Sequence, residues 1–217
     1  MKSYMFKSLL TKNRLDGIIK SSRLVGLFKD ITVNGEVLME SKADKKREHI
    51  LQSGTDFILE NDFNSLTLDA VANHAGISKG GLLYHFPNKD ALLKGLSDYI
   101  FKQFTILFNQ YAAEDPIEKG KWTRALIKVS KWDLDNNAKL NVGIMATSML
   151  NPDISEGVSK GYQYMQNQVE QDKIDPVDAS IIRLAIDGLY YSELLDMAPL
   201  NINLREQVIE KLFRMTE

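Results

Sequence analysis

The densest group of side chains able to do chemistry lies between Thr67 and Lys89, in TLDAVANHAGISKGGLLYHFPNK. Thr67, Tyr84, His85 and Lys89 offer hydroxyl, phenol, ring N–H and ammonium donors. Donors of this kind suit phosphate oxygens, contacts that hold a protein on nucleic acid without reading its sequence. Ser78 and Lys79 are the candidates for base edges, the lysine to guanine O6 or N7. Gly80 and Gly81 carry no side chain and would let the backbone approach a duplex closely. Lys42, Lys45, Lys46 and Arg47 form the densest basic cluster after residue 38. They read either as a solvated helix start or as a basic arm reaching the backbone or minor groove.

Other chemistries find no such grouping. Cysteine is absent, which excludes disulfides, thiolate ligands and a cysteine nucleophile. The three histidines, His49, His74 and His85, form no i,i+4 pair with an adjoining carboxylate frame, so no metal site is expected. There is no Gly-x-Ser-x-Gly elbow, no Gly-x-Gly-x-x-Gly or phosphate-binding loop, and no histidine beyond residue 85 to act as a base. The expectation is a protein that binds and does not catalyse, with no cofactor.

These residues need elements to position them. Ile50, Leu51, Gly54, Phe57 and Ile58 recur at three- and four-residue spacing, predicting a first helix from Lys42 of about five turns. Asn61 to Ser65 breaks it, and Thr67 caps a second helix carrying Leu68, Val71, Ala72 and Ala75. Gly76 stops that helix, Ser78 caps a third that reaches Phe86, and Asn88 caps a long fourth. Two short helices joined by Ala75-Gly76-Ile77-Ser78 match a helix-turn-helix, whose second helix enters the major groove. Val71, Ala72, Ala75, Ile77, Leu82 and Phe86 read as the core of that unit. Beyond Pro116 the pattern stays helical, with helices expected over 117–135, 138–150, 153–173, 177–197 and 203–215, and no strand-like alternation of useful length.

The segment resembles the TetR family of bacterial regulators. The resemblance rests on Leu68-Asp69-Ala70-Val71-Ala72, Ala75-Gly76, Ile77-Ser78-Lys79-Gly80, Tyr84-His85-Phe86 and Pro87-Asn88-Lys89, within a stretch from Lys45 to Leu93. Leu83 stands where an aromatic residue is common in the family, and Gly81 where a threonine or asparagine is common. Base reading is therefore expected to lean on fewer side chains. The resemblance implies an all-α fold with an N-terminal three-helix DNA-binding domain and a C-terminal helical domain for ligand binding and dimerisation. It implies a cytoplasmic homodimer that binds a palindromic double-stranded operator as a repressor and is released by a small apolar effector.

Spacing carries more of the argument in the C-terminal half. Ile181, Leu184, Ala185, Gly188, Tyr191 and Leu195 share one face of the penultimate helix, and Leu212 follows on the last. In proteins of this resemblance two such helices pair with their twins, and the small Ala185 and Gly188 would permit close approach. The effector cavity that the family places between these helices and the long fourth helix would draw on Phe104, Phe108, Trp122, Met145, Met149, Tyr162, Met165 and Tyr190. The same stripes also serve as plain core.

Charge and composition bound the whole. The 217 residues are 44% apolar and 26% charged, a globular profile, and no apolar run approaches the ~20 residues needed to cross a bilayer. Residues 1–38 hold seven basic side chains against three acidic ones, while the chain as a whole carries −2. This start is read as an extension, with residues 39–88 the DNA-binding domain and 89–217 the ligand-binding and dimerisation domain. Gly35-Glu36-Val37-Leu38 can be encoded by a purine-rich, ribosome-recruiting stretch, which predicts Met39 as the native start. The competing reading is a DNA-binding architectural or partner-docking protein with the same helix-turn-helix and no small-molecule response.

Overall fold

A computed structural model describes Thr32, Val33, Glu36, Val37 and residues 41–217, without the side chains of Lys139, Met149 and Leu150. The expectations for the remainder of residues 1–38, and for a start at Met39, lie outside the described residues. Two units follow one another, residues 1–46 and 47–217. In the first, β1 (Thr32–Val33) pairs antiparallel with β2 (Glu36–Val37), Val33 opposite Glu36. The sequence analysis did not anticipate this hairpin. Its signal is the Asn34-Gly35 pair between β-branched residues, a composition suited to tight two-residue turns.

Helices make up the rest: α1 (Lys42–Glu60), α2 (Leu68–His74), α3 (Lys79–His85), α4 (Lys89–Ala113), α5 (Lys121–Leu150), α6 (Pro152–Glu170), α7 (Pro176–Leu194) and α8 (Ile202–Arg214). Their starts are set by local side chains. Thr67, Ser78, Asn88, Asn151, Asp175 and Asn201 each accept a backbone N–H at the first turn of the helix they precede. α5 starts differently, after Gly120 at φ 78° with no cap of its own. The buried carboxylate of Asp172 fills the role from the loop after α6, accepting from Trp122 N at 3.0 Å and Thr123 N at 2.7 Å.

One expectation is corrected here: 117–135 and 138–150 are not two helices, because α5 runs unbroken through Asn136-Asn137. Neither asparagine competes with the backbone for long-range turns. Asn136 Nδ2 donates to the Trp132 carbonyl and Asn137 Nδ2 to Asp133 Oδ1, both one helical turn back.

Two apolar clusters hold the second unit. One joins Ile50, Ile58, Val71, Leu82, Phe86 and Leu96 to Leu140 and Ile144 of α5 and Ile154 of α6. The other gathers Phe108, Ile127, Val129, Ile182, Ile186 and Ile209 from α4, α5, α7 and α8. α4 contributes to both. Gly95 marks a close approach in the first cluster, since a Cβ there would sit 2.6 Å from the buried Phe86 ring. Gly95→Ala is expected to destabilise the fold by about 1–3 kcal/mol through overpacking, read as a lower urea midpoint at unchanged slope.

Candidate functional site

The helix-turn-helix is closed by backbone geometry that only part of the alphabet accepts. Gly76 sits at φ 65°, with its N–H on the Asn73 carbonyl and the Ile77 N–H on the Ala72 carbonyl. This is a Schellman closure, and it turns the chain sharply enough for α3 to pack across α2 through Val71, Ala72 and Leu82. His49 Nε2 lies 2.9 Å from the Ala75 carbonyl, tying α1 to the same turn.

α3 presents its polar face outward. Tyr84 is 81% exposed, far beyond what its apolar ring would adopt for packing, with the His85 ring edge-on at 5.0 Å. Ser78 Oγ accepts the Gly81 N–H at 3.1 Å, which leaves its proton free to donate elsewhere. Lys79 Nζ lies 2.9 Å from Asp69 Oδ2 with both side chains exposed. Such a pair contributes only ~0.2–1 kcal/mol, so a phosphate or base can displace it. At Gly80 an added Cβ would meet no heavy atom within 4 Å, so nothing inside the described protein requires glycine there. Thr67, Lys89 and Lys46 are exposed, Gly81 and His85 half-buried. Thr67 is also committed to capping, accepting Ala70 N–H at 3.1 Å. Arg47 lies 4.9 Å from the centroid of the Phe86 ring, a packing role that the basic cluster did not foretell.

A second candidate site is an internal cavity of about 50 Å³ lined by α4, α5, α6 and α7. Phe104, Met145, Tyr162, Met165 and Tyr190 line it, as the sequence analysis expected. Phe108 and Trp122 do not. Phe108 lies one helical turn beyond Phe104 on the same side of α4, inside the second cluster, where its ring meets that of Trp122 at 5.3 Å in a tilted pair. Met149 has no described side chain. The missed residues include the polar ones, Ser130, Asp133, Asn141 and Asp187. A single polar residue in an apolar stripe carries no periodic signal, so only the converging helices bring them together.

Asp133 is 4% exposed. It accepts from Tyr190 Oη at 2.6 Å and from Asn137 and Asn141 Nδ2, each at 2.7 Å. Burial pushes its carboxyl above the usual range, against the opposing pull of those hydrogen bonds. Burial also raises Asp187, partly countered by Arg183. Tyr162 and Tyr190 are driven far above the ordinary phenol range by burial, so both stay protonated donors. Tyr162 Oη and Tyr191 Oη share a hydrogen bond of 2.6 Å. Tyr191 therefore turns to the cavity and not to the outer face assigned to it from sequence, its hydroxyl meeting that of Tyr162.

The outer face of α7 remains apolar. Ile181 and Leu184 are 49% and 59% exposed, Leu195 is exposed, Ala185 is half-buried, and nothing stands within 4 Å of a Cβ on Gly188. Val177 of α7 is exposed as well, as are Ile202 and Leu204 of α8. Leu212 does not join them. It is buried in the second cluster, because α8 turns its Ile209–Leu212 side inward onto the bundle.

Comparison with known proteins follows the same division. A family model described as bacterial regulatory proteins, tetR family, matches residues 50–96, and one described as tetracyclin repressor-like, C-terminal domain, matches residues 120–217. The HTH-type transcriptional regulator UidR of Escherichia coli (strain K12) is 28% identical over 165 residues, 72% of this chain and 79% of UidR. Among solved structures, Salmonella enterica GusR is similar with a TM-score of 0.55 at 19% identity, over 81% of this chain and 97% of that one. The multidrug binding protein EbrR complexed with ethidium is similar with a TM-score of 0.58 at 17% identity, over 77% of this chain and 98% of that one.

The raised carboxyl of Asp133 has a thermodynamic consequence. A group protonated more readily in the folded state contributes stability that is present below its unfolded pKa and lost as pH rises through its folded one. The stability of Asp133→Asn relative to the unsubstituted chain is therefore expected to rise from the ordinary carboxylate pKa up through the raised folded-state pKa of Asp133, and to level off only above that. Urea unfolding at a series of pH values reads this, and a difference independent of pH would contradict it.

Proposed function

Because this chain belongs to the TetR family of bacterial regulatory proteins, we propose that it is a homodimeric repressor that leaves a palindromic operator when a small molecule enters the cavity. Transcriptional regulation through a helix-turn-helix is the family's activity. The observation that carries the DNA contact is the outward face of α3, where an 81% exposed Tyr84 and an unencumbered Gly80 have no role in packing. Ser78, Lys79, Gly80 and Gly81 approach base edges or the groove floor, and Thr67, Tyr84, His85 and Lys89 hold phosphates, with Lys46 adding charge. Residues 39–88 form the DNA-binding domain and 89–217 the ligand-binding and dimerisation domain. No helix among the described residues is long and apolar enough to cross a membrane. The regulator works in the cytoplasm.

Dimerisation through α7 is supported by the apolar row Val177, Ile181, Leu184 and Leu195, spaced to one helical face. A second copy placed there buries the row. Two copies also present two recognition helices to the two halves of a palindrome.

The effector response is supported by shared side chains. Ile100 and Ile144 line the cavity and belong to the cluster that packs α1, α2 and α3. About 50 Å³ holds only a few waters, since one water needs ~10–15 Å³ of such space, so any larger ligand must part the walls. Parting them moves the packing under the recognition helix. The ligand lowers operator affinity by its differential affinity for the two arrangements, typically ~1–3 kcal/mol. EbrR, similar in fold, binds ethidium.

Selection of genomic duplex fragments by the purified chain at moderate salt tests the reading, with an enriched two-fold symmetric site as the expected outcome. No enriched fragment would sink it. Gly80→Ala is expected to keep or raise thermal stability, by up to ~1 kcal/mol from helix propensity, while weakening binding to the selected site at least about tenfold through the added methyl. Leu184→Glu is expected to convert the dimer to monomer in sedimentation at micromolar concentration. A variant that remained dimeric would remove α7 from the interface.

A further inference from the structure

Resting on the reading of the cavity as a ligand site, we propose that its ligand is an organic cation, a compact aromatic or apolar body with one positive charge held toward Asp133 and Asp187. The charge arrangement carries this. Asp133 is 4% exposed, and each hydrogen bond it accepts comes from a neutral group, Tyr190 Oη, Asn137 Nδ2 or Asn141 Nδ2. Among the described residues no lysine, arginine or histidine lines the cavity. The second carboxylate on its wall, Asp187, has one basic neighbour, Arg183, at 3.7 Å, and that arginine faces the outer groove between α6 and α7.

A buried carboxylate without a cation costs stability, and an amide at position 133 could keep the same neighbours by turning the Asn137 side chain. The carboxylate is therefore explained by a charge that arrives from outside. The remaining walls accept such a guest. Phe101, Phe104, Tyr162, Tyr190 and Tyr191 place rings around the cavity, and aromatic faces attract cations as well as apolar groups. Ile144, Met145 and Met165 supply an apolar, deformable floor. An anion would meet two carboxylates in a region of low dielectric, and a neutral ligand would leave Asp133 without a counter-charge and Asp187 with Arg183 alone.

Three benzyl compounds of similar size separate these cases: benzyltrimethylammonium, neutral phenylmethanesulfonamide and anionic phenylmethanesulfonate. Calorimetric titration of the full chain at physiological salt is expected to show the cation binding at least about tenfold more tightly than the sulfonamide, with no measurable binding of the sulfonate. Asp133→Asn and Asp187→Asn are each expected to reduce that preference several-fold while sparing the sulfonamide. Thermal unfolding checks that each variant folds, and either one suffices should the other not fold. Equal or tighter binding of the neutral or anionic compound, no binding of any of the three, or an undiminished preference in the folded variants overturns the proposal. Operator release is measured separately with the same compounds. Selective binding of the cation without release supports the ligand class and removes the effector response proposed above. Release by the neutral or anionic compound does the reverse.

Discussion

Helix α4 is buried in two places at once, and the rest of the structure follows from that constraint. Its first turns put Leu92, Leu93 and Leu96 under the helix-turn-helix, and its later turns put Phe108 and Ala112 into the C-terminal bundle. Between them, Ile100, Phe101 and Phe104 face the cavity. Close-packed interiors do not deform continuously, so a displaced segment of such a helix must repack at both ends. α5 and α6 reinforce the link by sending Leu140, Ile144 and Ile154 into the N-terminal cluster. A Cβ on Gly143 would fall 2.1 Å from the Phe63 ring, which shows how near α5 lies to the loop before the reading head.

The two candidate sites use opposite physics. On α3 the polar groups are exposed and their pairings are weak and replaceable. In the cavity the polar groups are withdrawn from water, where each hydrogen bond and each uncompensated charge counts for more. Asp133 with Tyr190 and Asn141 is held in place before any ligand arrives, and Tyr162 with Tyr191 completes a fixed polar wall beside a yielding apolar one.

Ion pairs elsewhere hold the scaffold and are not available to either site. Asp115 is buried between Arg124 and Lys128 at the turn from α4 to α5, and the Arg124 guanidinium also reaches the Ile117 carbonyl and Thr216. Arg205 is buried between Asp135 and Glu193, fixing α8 to α5 and α7.

The helix-turn-helix was legible in residues 67–89 alone, because its information is local: capping side chains at Thr67, Ser78 and Asn88, a left-handed turn at Gly76, and apolar residues at helical spacing need no distant partner to be recognised. It likewise marked Ile181 and Leu184 as one face of α7. Only the tertiary structure decided which stripe faces a cavity and which faces core. Phe104 and Phe108 lie one helical turn apart with the same chemistry, and the fate of each depends on what α5 and α6 place opposite. Asp133 and Asp187, 54 residues apart on different helices, have no local signature at all. Their meeting is a product of packing, since a carboxylate's neighbours across a bundle are set by helix rotation and crossing, quantities that no spacing along one helix encodes.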